Sequence, residues 1–179
     1  MILLSLGSNL PSKFGDSKKT LLKCYEFFNN SDVKILKKSS FYESVAIPNK
    51  SDPKFINSVI SIETKFSPEE LIKYILSVEE KFDRKRAQVN APRTCDIDIV
   101  DFNGEVINIL NKNISLEIPH PRLEKRSFVL YPIREIDKNW KSTLSGKYID
   151  WIKYILWTII CICFGIMIGM FITKLIYGV

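Results

Sequence analysis

Two hydrophobic periods alternate along the first 140 residues, and this alternation constrains the fold more than any other feature of the chain. From Phe55 to Thr64, apolar side chains recur at every second residue, as in a strand with one buried face. A helix is predicted to begin after Ser67, because Ser67, Pro68 and Glu70 form an N-terminal capping pattern. The same two periods predict strands at 2–6, 33–42, 55–64, 96–102, 106–107 and 128–131, and helices at 17–28 and 67–82.

This order of elements is β-α-β-β-α-β with a further strand at the C-terminal end. It predicts an α+β domain of the ferredoxin-like type, in which helices cover one face of an antiparallel sheet. We place the domain at residues 1–140 and a polar linker at residues 141–150.

Residues 154–173 form an apolar run of 20 residues without a charge, bracketed by Lys153 and Lys174. About 20 apolar residues are enough for a helix to cross a bilayer. The run therefore predicts a transmembrane helix within a membrane anchor at 151–179, as in a single-pass membrane protein with its domain in the cytoplasm. Gly165 and Gly169 either allow two such helices to pair or reflect the general abundance of glycine in membrane helices.

The charge of the chain is mildly basic and mixed in sign. Lys plus Arg total 26 and Asp plus Glu total 20, which gives a net charge of +6. Mixed charges and 46% hydrophobic residues argue against a disordered nucleic-acid-binding tail. The four cysteines have neither zinc-site nor disulfide-framework spacing, so reduced and packed thiols are expected.

Asp96 and Asp98 are the sharpest candidate site, because residues i and i+2 of a strand share one face. A pair of carboxylates suits Mg²⁺ that also binds phosphate oxygens, although a solvated strand face would look the same. Basic residues on both sides favour a metal-bound polyphosphate: Arg84, Lys85, Arg86, Arg93, His120, Arg122, Lys125 and Arg126. A P-loop is excluded, since the sequence lacks its glycine and lysine pattern.

Two further features are compatible with a nucleobase or a similar flat heterocycle. Phe55 and Asn57 share one strand face, where a ring beside an amide suits such a ligand, although ordinary sheet packing also explains them. His120 lies between two prolines among basic residues, which suggests contact with a phosphate or nucleobase rather than a purely structural role.

Taken together, these residues resemble the hydroxymethyldihydropterin pyrophosphokinases of folate biosynthesis. The matching motifs occur in family order: LGSNL at Leu6–Leu10, SSFYES at Ser39–Ser44, DPKFIN at Asp52–Asn57, SPEEL at Ser67–Leu71, PRTCDIDIV at Pro92–Val100 and IPHPRLEKRSFVLYPIREI at Ile118–Ile136. The resemblance implies transfer of the β,γ-diphosphoryl unit of ATP to the hydroxymethyl group of dihydropterin, with release of AMP.

The resemblance also implies a role for each matching residue. Asp96 and Asp98 would hold two Mg²⁺ ions between ATP and the pterin hydroxyl, and Arg84 and Arg93 would meet the transferred phosphates. The other implied contacts are Glu79, Arg86 and His120 on the ATP side, and Ser44, Val45, Ile47, Phe55, Asn57, Arg126 and Phe128 on the pterin side.

The chain departs from the family in the loop before Pro92. The family has Trp-Gly before this proline, whereas this chain has Val89-Asn90-Ala91 in a loop one residue shorter. An alternative hypothesis is therefore a membrane-tethered module that binds pterin or nucleotide with lost or weak turnover. An RNA-binding domain is a third hypothesis; it would need stacking aromatics, of which the strand at 55–64 offers only Phe55, so no nucleic-acid partner is expected.

Overall fold

The computed structural model describes residues 1–30, 32–84, 91–111 and 114–143, and within these ranges the chain has an α+β fold. The strands are β1 Ile2–Ser8, β2 Val33–Lys38, β3 Tyr42–Ser44, β4 Phe55–Thr64, β5 Asp96–Phe102, β6 Ile107–Leu110 and β7 Ser115–Ile118. The helices are α1 Ser17–Phe27, α2 Pro68–Lys81 and α3 Ser127–Ile136, with a 3-10 turn at Leu123–Lys125. The predicted combination of an antiparallel sheet with helices is confirmed.

The main sheet has the strand order β2-β4-β1-β5, and β3 extends it by pairing with β4. Every pairing is antiparallel, and β1 lies at the centre with Leu4 opposite both Ile60 and Ile99. Since side chains alternate across a strand, this register gives each face of the sheet a separate set of residues.

One face of the sheet forms the hydrophobic core under α1 and α2. Leu4 and Leu6 of β1 pack there with Leu21 and Phe28 near α1 and Leu71 of α2, all fully buried. The start of α2 has the predicted capping box, in which Ser67 accepts from the Glu70 N–H and the Glu70 carboxylate accepts from the Ser67 N–H. The cap and the apolar stripe therefore hold α2 against the sheet from its first turn.

The core also contains the cysteines of the described chain. Cys24 and Cys95 are free thiols, fully buried, with their sulfurs 3.3 Å apart. Their hydrogen bond, together with burial, raises the pKa of the Cys95 thiol. The burial of Cys24 and Cys95 agrees with the predicted packed thiols, whereas Cys161 and Cys163 lie outside the described residues.

The segment 128–131, predicted as a strand, is instead the first half of α3. Its apolar run is too short for the spacing of apolar residues to distinguish a strand from a helix. The burial pattern shows the helix: Val129, Leu130, Ile133 and Ile136 are buried at helical spacing. This helix lies against β4 and β3.

Two other strand predictions need correction. Asn103 and Gly104 do form a turn, with φ values of 57° and 74°. The strand that follows, β6, pairs with β7 in a separate two-stranded sheet rather than returning along β5. The predicted strand at 33–42 is divided into β2 and β3, which pair with different parts of β4.

The predicted membrane location is wrong: in the described part of the chain, no helix has the length and apolar character needed to cross a bilayer. The helices α1, α2 and α3 have 11, 14 and 10 residues, fewer than the roughly 20 that a span requires. The predicted span at 154–173, with Gly165 and Gly169, lies outside the described residues. The domain and linker boundaries at 140 and 150 stay predictions.

Candidate active site

Asp96 and Asp98 of β5 lie on the wall between two cavities, the second of which is also bordered by α2. The first, cavity A, has a volume of about 280 Å³ and is lined by Ser5, Gly7, Ser44, Val45, Ile47, Phe55, Asn57, Arg93, Asp96, Asp98, Arg122, Lys125, Arg126 and Phe128. The second, cavity B, has a volume of about 430 Å³ and is lined by Ile72, Leu76, Arg84, Asp96, Ile97, Asp98, Ile99, Ile114, Ser115, Leu116, Glu117, His120 and Pro121. Both carboxylates line both cavities.

Three arginines form ion pairs with these two carboxylates. Arg84 Nη2 lies 2.6 Å from Asp96 Oδ1, and Arg93 Nη1 lies 2.9 Å from Asp96 Oδ2. Arg126 Nη1 lies 3.0 Å from Asp98 Oδ2. Since the side chains of all three arginines are at most 22% exposed, these pairs are partly shielded from water and from salt screening.

Glu79 of α2 supports this wall from beneath. Its carboxylate is 2% exposed, accepts a hydrogen bond from the Ile97 N–H at 2.9 Å and pairs with Arg84. Ile97 lies between the two aspartates, and β5 is an edge strand of the sheet. Glu79 therefore fixes the backbone of the edge strand that carries both aspartates, and it lines neither cavity A nor cavity B.

Cavity A combines aromatic walls with one oriented amide. Phe55 and Phe128 each carry an arginine over the ring, with Arg93 and Arg126 Cζ at 5.9 and 6.0 Å from the ring centres. Asn57 is 4% exposed, and its Nδ2 donates to Tyr42 O and to Ser44 Oγ. Among the described residues, no side-chain hydrogen bond to its Oδ1 is formed, so this oxygen can accept one from a ligand.

The floor of cavity A depends on Gly7. A Cβ at this position would lie 3.3 Å from Asn57 Oδ1 and 3.7 Å from the Phe55 ring. A side chain there would therefore occupy the space in front of the amide and the ring.

Asn9 connects the two segments that border cavity A. Its Oδ1 accepts from the Arg93 N–H at 2.7 Å, and its Nδ2 donates to Pro53 O at 3.0 Å. The Asn9 N–H also donates to Arg93 O at 3.1 Å. Asn9 is 3% exposed, so it acts as a positioning residue for the backbone of Arg93 and the segment before Phe55.

His120 lines cavity B with a defined tautomer. The Arg122 N–H donates to His120 Nδ1 at 3.0 Å, so a neutral imidazole carries its proton on Nε2. Burial, followed by the Arg126 guanidinium, lowers the pKa of His120. The ring is therefore suited to donate a hydrogen bond to an anion at neutral pH.

The structure brings together nearly all the site residues expected from the sequence. All seven residues expected on the pterin side line cavity A, together with Arg93, while Arg84 and His120 line cavity B. Glu79 lies under the strand, and Arg86 lies outside the described residues. These placements say where the residues lie, and the roles of the residues stay predictions.

Several lining residues were not among the expected site residues. Ser5 and Gly7 follow from strand alternation only once the register of β1 against β4 is known. Arg122 and Lys125 were visible in the sequence only as parts of a basic run. The apolar lining of cavity B, including Ile72, comes from segments distant in sequence and gave no local signal.

The two aspartates fit a divalent ion that is completed by a substrate. Mg²⁺ is commonly bound by one or two carboxylates together with phosphate oxygens. Among the described residues, no group of three or more His, Cys, Asp or Glu side chains could hold a metal. A metal held by Asp96 and Asp98 would therefore need further ligands, such as the phosphate oxygens of a substrate.

Comparison with known proteins gives consistent matches. The model of the 7,8-dihydro-6-hydroxymethylpterin-pyrophosphokinase (HPPK) family matches residues 3–138. The chain is 37% identical over 138 residues to 2-amino-4-hydroxy-6-hydroxymethyldihydropteridine pyrophosphokinase of Aquifex aeolicus, covering 77% of this chain and 81% of that protein. The protein of the same name from Bacillus subtilis is 34% identical over 134 residues, covering 74% and 75%.

One of the matching relatives is a much longer protein, of which only a part matches this chain. The folic acid synthesis protein fol1 of Pneumocystis carinii is 35% identical over 145 residues, which are 81% of this chain and 18% of that protein. The chain thus spans under a fifth of this relative and about four fifths of the Aquifex protein.

Proposed function

Because the chain belongs to the 7,8-dihydro-6-hydroxymethylpterin-pyrophosphokinase family, we propose that it transfers diphosphate from ATP to 6-hydroxymethyl-7,8-dihydropterin. The products are AMP and the pterin diphosphate. The observation that carries the proposal is the pair Asp96 and Asp98 on the wall shared by cavities A and B. A transfer between two substrates needs such a wall, because both reacting groups must meet the same charged residues. The antiparallel sheet supplies this edge strand, β5.

The pterin binds in cavity A. The rings of Phe55 and Phe128 wall the heterocycle, and Asn57 Oδ1 accepts a hydrogen bond from its edge. Ser44 orients the amide by accepting from Asn57 Nδ2 at 2.9 Å. Val45 and Ile47 are 47% and 73% exposed and line the cavity, so a flat ring bound against them would remove part of their apolar surface from water.

ATP binds in cavity B, with its triphosphate toward the shared wall. The apolar side chains of Ile72, Leu76 and Leu116 suit the base and ribose, while Arg84 and His120 suit the phosphates. Arg86 is the further phosphate contact expected from the sequence. Glu79 acts indirectly, through its pair with Arg84 and its hydrogen bond to Ile97.

Asp96 and Asp98 would hold Mg²⁺, as two ions in the family pattern. When bound, the ions neutralise phosphate charge and polarise the bond that breaks. Arg84, Arg93 and Arg126 pair with these carboxylates, so their guanidinium groups lie close enough to the aspartates to bind the phosphate oxygens of a nucleotide as well.

The reaction is an in-line substitution at the β-phosphorus. The pterin hydroxyl oxygen forms a bond to this phosphorus, the bond from phosphorus to the α,β-bridging oxygen breaks, and AMP leaves with that oxygen. The hydroxyl proton is lost to solvent. The protein contributes orientation of the two substrates and electrostatic stabilisation by Arg84 and Arg93.

The test is formation of AMP from ATP, followed by chromatography, with and without 6-hydroxymethyl-7,8-dihydropterin. We expect AMP and pterin diphosphate in equal amounts only when pterin and Mg²⁺ are both present. Binding of both substrates without AMP would support the alternative of a binding module that has lost turnover. Absence of pterin binding would refute the assignment of cavity A.

A further inference from the structure

We infer that Arg122 and Lys125 form a subsite of cavity A that binds the diphosphate group of the pterin product. The inference rests on the proposed function and assigns a role to two cations outside the expected site set. Both residues line cavity A.

Cavity A has more positive than negative side chains, and the surplus positive charge is that of Arg122 and Lys125. Its lining has four cationic side chains and two carboxylates. Arg93 pairs with Asp96, and Arg126 pairs with Asp98. Within residues 1–30, 32–84, 91–111 and 114–143, Arg122 and Lys125 form no ion pair, so the cavity carries an uncompensated charge of about +2 at neutral pH.

The 3-10 turn at Leu123–Lys125 presents these cations on one side. Arg122, Lys125 and Arg126 are spaced three and four residues apart, while Leu123 is 1% exposed and anchors the turn in the interior. The backbone is closed by bonds from the Leu123 N–H to His120 O at 2.8 Å and from the Arg126 N–H to Leu123 O at 3.0 Å. The two free cations are thus held by a defined turn and not by a loose loop.

The chemistry of the reaction identifies the anion. The pterin substrate is uncharged at its hydroxymethyl group, so it gives Arg122 and Lys125 nothing to pair with. After transfer, the same molecule carries a diphosphate, whose inner phosphorus is bonded to the former hydroxyl oxygen in cavity A. The triphosphate of ATP binds on the cavity B side of the shared wall, where Arg84 and His120 line the cavity. The excess charge of cavity A therefore matches the product.

The experiment is titration calorimetry on the full-length chain with three probes: neutral 6-hydroxymethyl-7,8-dihydropterin, its diphosphate ester, and the magnesium complex of a non-hydrolysable α,β-methylene ATP. The variants are Arg122→Gln, Lys125→Gln and the double variant. Lys138→Gln removes the same charge from an exposed position that lines neither cavity, and serves as the matched control.

We expect each of the two variants to raise the Kd of the diphosphate ester about tenfold, because one charge-assisted contact is lost. The Kd values of neutral pterin and of the ATP analogue should change less than twofold. Retained binding of neutral pterin also shows that the variants are folded.

Three results would overturn the subsite. These are an unchanged Kd for the ester, an equal loss for ester and neutral pterin, and a loss for the ATP analogue as large as that for the ester. Failure of the unmodified chain to bind neutral pterin or to form AMP would instead refute the proposed function, and the subsite with it.

Discussion

Replacing Glu79 should destabilise the domain more than any other single carboxylate substitution near the site. Its carboxylate is 2% exposed and satisfies both the Ile97 N–H and the Arg84 guanidinium. Glu79→Ala leaves a buried backbone donor unsatisfied and removes one of the two carboxylates that neutralise Arg84. The second carboxylate, Asp96, remains 2.6 Å from Arg84 Nη2.

The magnitude follows from these contacts. Removing one partner of a buried ion pair costs about 3–5 kcal/mol, and the remaining contact with Asp96 places Glu79→Ala near the lower end, at about 3 kcal/mol. Glu79→Gln keeps an oxygen acceptor for the Ile97 N–H and loses only the charge, so we expect about 1.5 kcal/mol. Either value is a large share of a domain stability of roughly 5–15 kcal/mol.

Urea unfolding followed by circular dichroism measures this difference in the free energy of unfolding. Glu80→Gln is the matched control, because the neighbouring glutamate is exposed on the same helix and should change stability by less than about 0.5 kcal/mol. If Glu79→Ala is no less stable than Glu80→Gln, Glu79 does not support β5 and the account of the edge strand is wrong.

Three further predictions concern the reaction and its pH dependence. Asp96→Asn or Asp98→Asn should leave the fold intact and lower kcat by about 100- to 1,000-fold, since a charge shared by metal and phosphate is lost; near-normal turnover would exclude a ligand role. Arg93→Ala should lower kcat much more than it weakens ATP affinity, and the reverse would make Arg93 a simple ATP anchor. NMR titration should place the pKa of His120 below about 6.5, with Arg126→Gln raising it only part of the way because burial is the larger cause. Since the unfolded chain then binds this proton more readily, His120 lowers stability as the pH falls through about 6.5; a higher pKa in the folded chain would contradict this.

The elements with strong local signals were predictable from sequence. The cap at Ser67 and the apolar stripe of α2 are determined by neighbouring residues, and the structure has both. The alternation from Phe55 to Thr64 likewise gave β4 with its correct bounds. In each case the local pattern and the tertiary packing favour the same structure.

The elements that depend on distant partners were not predictable. The apolar residues from Phe128 to Tyr131 suit a strand as well as a helix, and only packing against β3 and β4 selects the helix. The Asn103–Gly104 turn has the expected geometry. The strand that follows it, β6, nevertheless pairs with β7 rather than with β5, and a turn sequence alone does not determine that choice of partner.

The part of the candidate site that was predictable is the part in which residues of suitable chemistry lie two apart in a strand and therefore share one face. Asp96 and Asp98 share a face because of strand geometry alone, and basic residues flank them in the sequence. The sequence gave no local signal for the hydrogen bonds of Asn9 and Glu79 to the backbone. Each of these side chains contacts segments that are distant in sequence and are brought close to it only by the fold. The role of Glu79 in particular depends on β5 being an edge strand.

The wall shared by cavities A and B has a thermodynamic consequence. Under the proposed function, a ligand in one cavity would change the ion pairs of Asp96 and Asp98, which the ligand of the other cavity would also contact. The two binding equilibria then form a closed cycle, and the free energy of the cycle does not depend on the order of binding. Whatever factor a nucleotide in cavity B applies to the affinity for pterin, the pterin must apply the same factor to the affinity for that nucleotide.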